Sequence, residues 1–193
     1  MARTYTQTAR AEATEQTRKA ILDAAIARFL RGEFETNLDA IADGAGVATR
    51  TILRHFGSKE GLVEAAITAG NAAVRAERRA PAGDAEAFSR SLVSHYEKDG
   101  DHVLRMLAVE DRYPLVRLAT QHGRRVHAEM VEECFAADLE GLDRTVRAER
   151  LALLVAVTDV YTWALLRRRG GLGREATERA ICSLINHARG DRT

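Results

Sequence analysis

Residues 36–60, TNLDAIADGAGVATRTILRHFGSKE, decide how the rest of this chain is read. Leu38, Ile41, Ala42 and Ala45 fall at i, i+3, i+4 and i+7, which is one face of a short helix. Asn37 precedes that face, where a side-chain oxygen can cap free backbone N–H groups. Gly44 and Gly46 are expected to interrupt the helix, because glycine reaches the left-handed conformation that a sharp turn needs. A second helix then spans Thr49 to Phe56, with Ile52, Leu53 and Phe56 at inward spacing. Two short helices joined by a glycine-containing turn form the helix-turn-helix pattern.

The charges in this window point the same way. Between Asp43 and Glu60 there is no acidic residue, while Arg50, Arg54 and Lys59 are present. Arg50 lies near the start of the second helix, the part that meets base edges in a major groove. An arginine there can donate two parallel hydrogen bonds to guanine O6 and N7. Lys59 follows Gly57 and Ser58 at the start of a further helix, where ammonium and free N–H groups together suit a phosphate.

The run GVATRTILRHFGSKEGL resembles the TetR/AcrR family of transcriptional repressors. The family's usual form has a serine at Ala48, a tyrosine at Leu53 and the same His-Phe-x-Ser-Lys-Glu ending. The upstream GEFETNLDAIADGAG is similar to the family's lead-in through Gly32, Thr36, Ile41 and Ala42. The resemblance runs in register over roughly fifty residues. It implies that Thr49, Arg50 and Arg54 read DNA, with Thr51 and His55 beside them, and that Thr36, Asn37 and Lys59 hold the backbone. His55 has a competing place in the packing. Three departures bear on affinity and operator sequence. Leu53 cannot make the tyrosine's phosphate contact, Asp39 brings a negative charge, and Ala48 cannot cap the recognition helix, at a cost of about 1 kcal/mol.

Working outward, Thr17 to Arg31 carries an amphipathic stripe of Leu22, Ala25, Ile26, Phe29 and Leu30 that is expected to bury the helix-turn-helix. Residues 1–16 are polar and without apolar period, and are expected to form a disordered arm. Arg3 and Arg10 on such an arm suit a minor groove, with a solvated tail as the simpler reading. Residues 1–57 are therefore expected to be a three-helix DNA-binding domain. A connecting helix and linker would occupy 58–83, ending where Pro81 and Gly83 break the pattern.

Residues 84–193 read as five helices: 84–98, 102–110, 114–137, 142–169 and 174–188. Asp99-Gly100-Asp101 is taken as the first break, and Pro114 as a first-turn proline. The whole chain is thus expected to be all-α, with about nine helices. Leu151 to Leu166 is apolar almost all round, so it must be covered on more than one side. The family resemblance implies that the last two helices form a four-helix bundle across the two-fold axis of a homodimer. Two recognition helices about 34–36 Å apart would then read a palindrome on double-stranded DNA.

The resemblance also implies a cavity in the C-terminal body for an unknown small-molecule effector. Asp159, a carboxylate within VAVTDVYTWALL, is expensive to bury unpaired. Pairing with Arg105, Arg124 or Arg125, or capping of a nearby backbone, is weighed against contact with a ligand. His95, Tyr96, Met106, Thr162 and Trp163 are the other wall candidates, and such side chains are commonly plain core.

Composition bounds the remaining classes. The chain has 193 residues, 46% hydrophobic and 30% charged, with 2 prolines and a net charge of +1. A chain this long can bury about 70% of its unfolded surface, and the neutral balance makes any DNA-binding charge local. Cys134 and Cys182 fit neither a metal pattern nor a disulfide framework and are expected as buried free thiols. Glu110-Asp111 and Glu132-Glu133 read as solvated acid pairs, and His122 and His127, five apart, do not make a metal pair. No nucleophile motif or phosphate loop occurs. No enzyme activity, metal or cofactor is expected, no leader or membrane span is seen, and a cytoplasmic location follows.

Overall fold

The computed structural model describes residues 2–35 and 37–190, with side chains from Arg10 onward. Every regular element among them is helical: α1 (Ala2–Leu30), α2 (Leu38–Ala45), α3 (Thr49–Phe56), α4 (Lys59–Glu77), α5 (Ala85–Val109), α6 (Pro114–Cys134), α7 (Ala136–Leu139), α8 (Arg144–Val157), α9 (Val160–Ala164) and α10 (Arg174–Arg189). A π-helical turn, Leu165–Arg169, continues α9. The all-α expectation holds, with ten α-helices among the described residues where about nine were expected.

The chain divides into two compact units, Met1–Gly70 and Asn71–Thr193. The division falls inside α4, upstream of the break at Pro81. The reason lies in the last turns of α4, whose partners are all in the second unit. Arg75 binds Glu129 and Glu133 of α6 at 2.6 and 2.9 Å, and the 81–83 turn is itself pinned by Gly83 N–H on the Cys134 carbonyl at 2.7 Å.

In the first unit, Ile21, Ile41, Ala42, Ile52 and Leu62 form a buried core, with Leu22, Ala25, Leu38 and Phe56 packed around it. Helix α1 extends well upstream of Thr17. The expected arm at 2–16 is helical because the stretch holds alanine, glutamate and glutamine and no glycine or proline, and Thr14 and Thr17 bond their hydroxyls back to Arg10 and Ala13 carbonyls. Leu30, assigned to the inward stripe, is 45% exposed.

The second unit is built on α5, a single helix of 25 residues. The break expected at Asp99-Gly100-Asp101 is absent. Gly100 instead makes room for the Trp163 ring: a Cβ there would lie 2.6 Å from Trp163 Cζ3. Trp163 is fully buried, with its indole N–H donated to Glu97 at 3.1 Å.

A second correction concerns 142–169, expected as one helix. It stops at Val157 and restarts at Val160. Thr158 is pinned at the break by a buried network. Arg78 Nη2 lies 3.1 Å from His127 Nδ1, and since guanidinium only donates, Nδ1 accepts and Nε2 carries the proton. That Nε2–H faces Thr158 Oγ1 at 3.2 Å, and Thr158 passes its own proton to the Leu154 carbonyl at 2.7 Å. Tyr96 O–H donates to the Thr158 carbonyl at 3.1 Å. Arg167 and Arg168, at the end of this segment, are ion-paired to Glu97 and Asp101 at 2.9 Å each.

Two measurements test this packing. Gly100→Ala is expected to lower unfolding free energy by about 2–3 kcal/mol in urea titration, with the emission of Trp163, the single tryptophan, shifted to the red. Burial, reinforced by the nearby Arg78 charge, pushes the His127 imidazole from its ordinary 6.5 down to about 3. The unfolded chain therefore takes up a proton below pH 6.5 that the folded chain refuses until about pH 3, and stability falls as pH drops across that window. His127→Gln should flatten the melting temperature against pH between those limits. A slope equal to the parent's would remove His127 from this role.

Candidate nucleic-acid interface

The turn between α2 and α3 follows from local chemistry. Asn37 Oδ1 accepts the Ala40 N–H at 2.8 Å and opens α2. Gly44 stays inside α2, and Gly46 alone makes the turn, at φ 66° in the left-handed region. Gly57, at φ 78°, ends α3 with its N–H on the Leu53 carbonyl at 2.8 Å. Ser58 Oγ then accepts the Gly61 N–H at 3.0 Å, so α4 begins with a side-chain cap. Gly61 is required there, because a Cβ would collide with the Phe56 carbonyl oxygen.

Helix α3 buries Ile52 and turns Arg50 and Arg54 to solvent. Neither arginine makes an ion pair among the described residues. Thr51 and His55 are partly buried beside them, and the His55 carbonyl lies 3.5 Å from Arg18 Nη1. Arg18 itself lies over the Phe56 ring at 4.6 Å, so this corner of the head is held by packing. Lys59 is partly buried at the start of α4. Thr36 lies outside the described residues. Leu53, where the resembled family carries tyrosine, is 42% exposed and offers no polar atom.

Asp39 has a structural part that spacing alone does not suggest. Its Oδ1 accepts the Thr49 hydroxyl at 2.5 Å across the turn. Ala48, at the N-cap of α3, supplies no side-chain bond. Asp39 therefore brings both an acceptor and a negative charge to the first residue of α3, where the helix dipole favours an anion. The same bond occupies the Thr49 proton, leaving that hydroxyl its acceptor lone pairs for a partner.

The expected wall of an effector cavity is differently arranged. His95, Tyr96 and Trp163 are buried, with ring centroids 5.7 Å apart between His95 and Tyr96 and 5.8 Å between Tyr96 and Trp163. Asp159 caps α9 by accepting the Tyr161 N–H at 2.9 Å, and Arg124 and Arg125 pair elsewhere, with Glu110 and Glu129. Thr162 Oγ1 donates to the Ala156 carbonyl at 2.7 Å, and Met106 is partly buried on α5. A cleft of about 590 Å³ lies at another place, lined by Glu129, Glu132, Glu133, Leu139, Glu140 and Arg147 among others. None of the six expected wall residues lines it.

These features define a helix-turn-helix head with an exposed cationic recognition helix, on a chain whose other unit is an all-helical body. Residues 21–66 match the family model for bacterial regulatory proteins of the tetR family. Over 45 residues the chain is 51% identical to the HTH-type transcriptional regulatory protein RaaS of Mycobacterium tuberculosis. That match covers 23% of this chain and 21% of the relative, so it spans about a fifth of the relative's length. The crystal structure of a TetR-family regulator from Streptomyces coelicolor A3 shares the fold, with a TM-score of 0.54 and 20% identity over 92% of this chain and 96% of that one. The family model and the relative both match the head alone, and the solved structure shows the fold that the whole chain shares.

Asp39→Ala tests the brace across the turn. Losing both the acceptor and the charge is expected to lower the melting temperature by about 2–4 °C, the shift that a loss near 1 kcal/mol gives in a chain of this size. An unchanged melting curve would mean that α3 starts without help from Asp39.

Proposed function

We propose that this protein is a sequence-specific DNA-binding transcriptional regulator. It acts as a repressor that binds a palindromic operator as a homodimer and leaves it when a small-molecule effector binds the C-terminal body. The observation that carries the DNA-binding part is the outer face of α3. Arg50 and Arg54 stand exposed and unpaired there, on a helix preceded by a glycine turn and inside the segment that matches the tetR family model. A guanidinium free of carboxylates keeps its full set of donors for guanine O6 and N7 or for phosphate.

Homodimer formation draws support from the last helices. Leu153, Tyr161 and Leu165 are each more than half exposed, and Leu184 on α10 is exposed as well. Large exposed apolar side chains on successive helices suit a surface that a protein partner covers. No helix among the described residues is long and apolar enough to cross a membrane, which accords with a regulator acting on DNA in the cytoplasm. Effector release rests on likeness to the family, and it requires a ligand with unequal affinity for the DNA-bound and free arrangements.

Selection of bound duplexes from a random pool, followed by salt titration, tests this reading. The parent is expected to enrich a palindrome, with affinity falling steeply as salt rises. Arg50→Ala should lose roughly 5- to 150-fold in discrimination at one base position, the worth of a bidentate guanine contact. If no duplex is enriched and binding is weak for every sequence, the head is not a DNA reader. The fold would then serve ligand binding alone.

A further inference from the structure

One cluster in the second unit takes no part in DNA reading. Glu77 ends α4, and His95 and Asp99 lie four residues apart on one face of α5. Their donor atoms all lie within 4.8 Å of one another. His95 Nδ1 stands 3.5 Å from Glu77 Oε2 and 3.7 Å from Asp99 Oδ2. The imidazole side chain is only 7% exposed, and its Nδ1 is buried with no hydrogen-bond partner. A buried polar nitrogen normally has a partner, so an orphan aimed between two carboxylates calls for a physical reason.

The geometry points to a site for a divalent transition-metal ion of the zinc type, held by Glu77, His95 and Asp99. Two ligand atoms each 2.0–2.2 Å from a tetrahedral ion stand about 3.4 Å apart. The two separations from Nδ1 are close to that value, so small side-chain rotations complete the site. One imidazole and two carboxylates leave a fourth position for water, the arrangement of open zinc sites. Imidazole in the set favours zinc and its neighbours over magnesium or calcium. Burial, and after it the Arg78 charge, pushes the His95 imidazole below its ordinary range, while Asp99 and Glu77 oppose this.

Lys98 is the competing cation. Its ammonium lies 3.5 Å from Glu77 Oε2 and 3.6 Å from Asp99 Oδ2, yet its side chain is 65% exposed. It screens the carboxylates without reaching the buried nitrogen. An entering ion would displace it into water at little cost, since exposed ion pairs contribute little. Removing the lysine should therefore strengthen binding, where removing a ligand weakens it.

Zinc titrated into chelator-stripped full-length protein, against a chromophoric competitor, tests the site. One equivalent per chain is expected to bind. Glu77→Gln and Asp99→Asn should each weaken binding by roughly tenfold or more, because even outer-sphere partners of a metal are worth about 10–100-fold. Lys98→Gln should tighten it. Glu77 and Lys98 are exposed, so their variants are expected to keep the parent's helical circular dichroism. Cobalt in place of zinc should give a visible ligand-field band that is lost in Asp99→Asn. Failure to bind a stoichiometric ion overturns the proposal. So does stoichiometric binding that is indifferent to both carboxylate variants, because the ion would then sit elsewhere, as at an exposed histidine.

Discussion

The second unit depends on the seating of one side chain, Trp163, against the backbone of Gly100. An indole of this size can be fully buried on α5 only where that helix presents no Cβ. The contact fixes the height of α9 along α5. From that position Trp163 reaches Glu97, and Glu97 in turn accepts from Arg167 Nε at 2.9 Å. One turn further along α5, Asp101 takes Arg168 in two hydrogen bonds at 3.1 and 2.9 Å, while Arg168 also lies 4.6 Å over the Trp163 ring. The π-turn at Leu165–Arg169 is where these demands meet, since consecutive arginines must serve carboxylates four residues apart on a straight helix.

Much of the head is legible in the amino-acid sequence alone. Its determinants are local: the Asn37 cap, the apolar face of α2, the glycine before α3 and the spacing of Ile52 and Phe56 all act within a few residues of one another. The body is legible in helix content but not in where helices break. Gly100 resembles a helix breaker until its partner, 63 positions later in the chain, is known to fill the space above it. Thr158 and Asp159 carry neither glycine nor proline to mark a break, only the side chains that can cap a helix once one is there. The interruption there comes from Arg78 and His127, which act from α4's end and from α6. Sequence periodicity cannot show this, because the buried network is assembled from residues with no common spacing.

Asp159 shows how a single residue leaves alternatives that only the fold decides. A carboxylate in an apolar run invites an ion pair, a backbone cap or a ligand. The break at Thr158 selects the cap, because it puts a free helix N-terminus beside the carboxylate. The residues expected to line a cavity pack together for a related reason. Tyr96 and Trp163 are each aromatic with one polar tip, and that combination equally suits a dense core whose polar tips bond to other protein groups. Tyr96 shows this most directly, with burial pushing its hydroxyl up to about 12, so it remains a hydrogen-bond donor to Thr158 under all ordinary conditions.

Charge pairing sets α3 apart from the body more sharply than composition does. In the body, Arg75, Arg124, Arg147, Arg167, Arg168 and Arg189 each meet a carboxylate. Their positive charge is consumed in holding helices together, so the net charge of +1 says little about what the chain binds. On α3 the opposite holds. No carboxylate lies between Asp43 and Glu60, and Asp39 bonds to the Thr49 hydroxyl and not to an arginine. Glu60, at the far end of the window, is held below the usual carboxylate range by hydrogen bonds to its own backbone and to Ser58. Both Asp39 and Glu60 therefore act on helix starts. Arg50 and Arg54, one helical turn apart, are left exposed to solvent with no carboxylate of the head paired to them among the described residues.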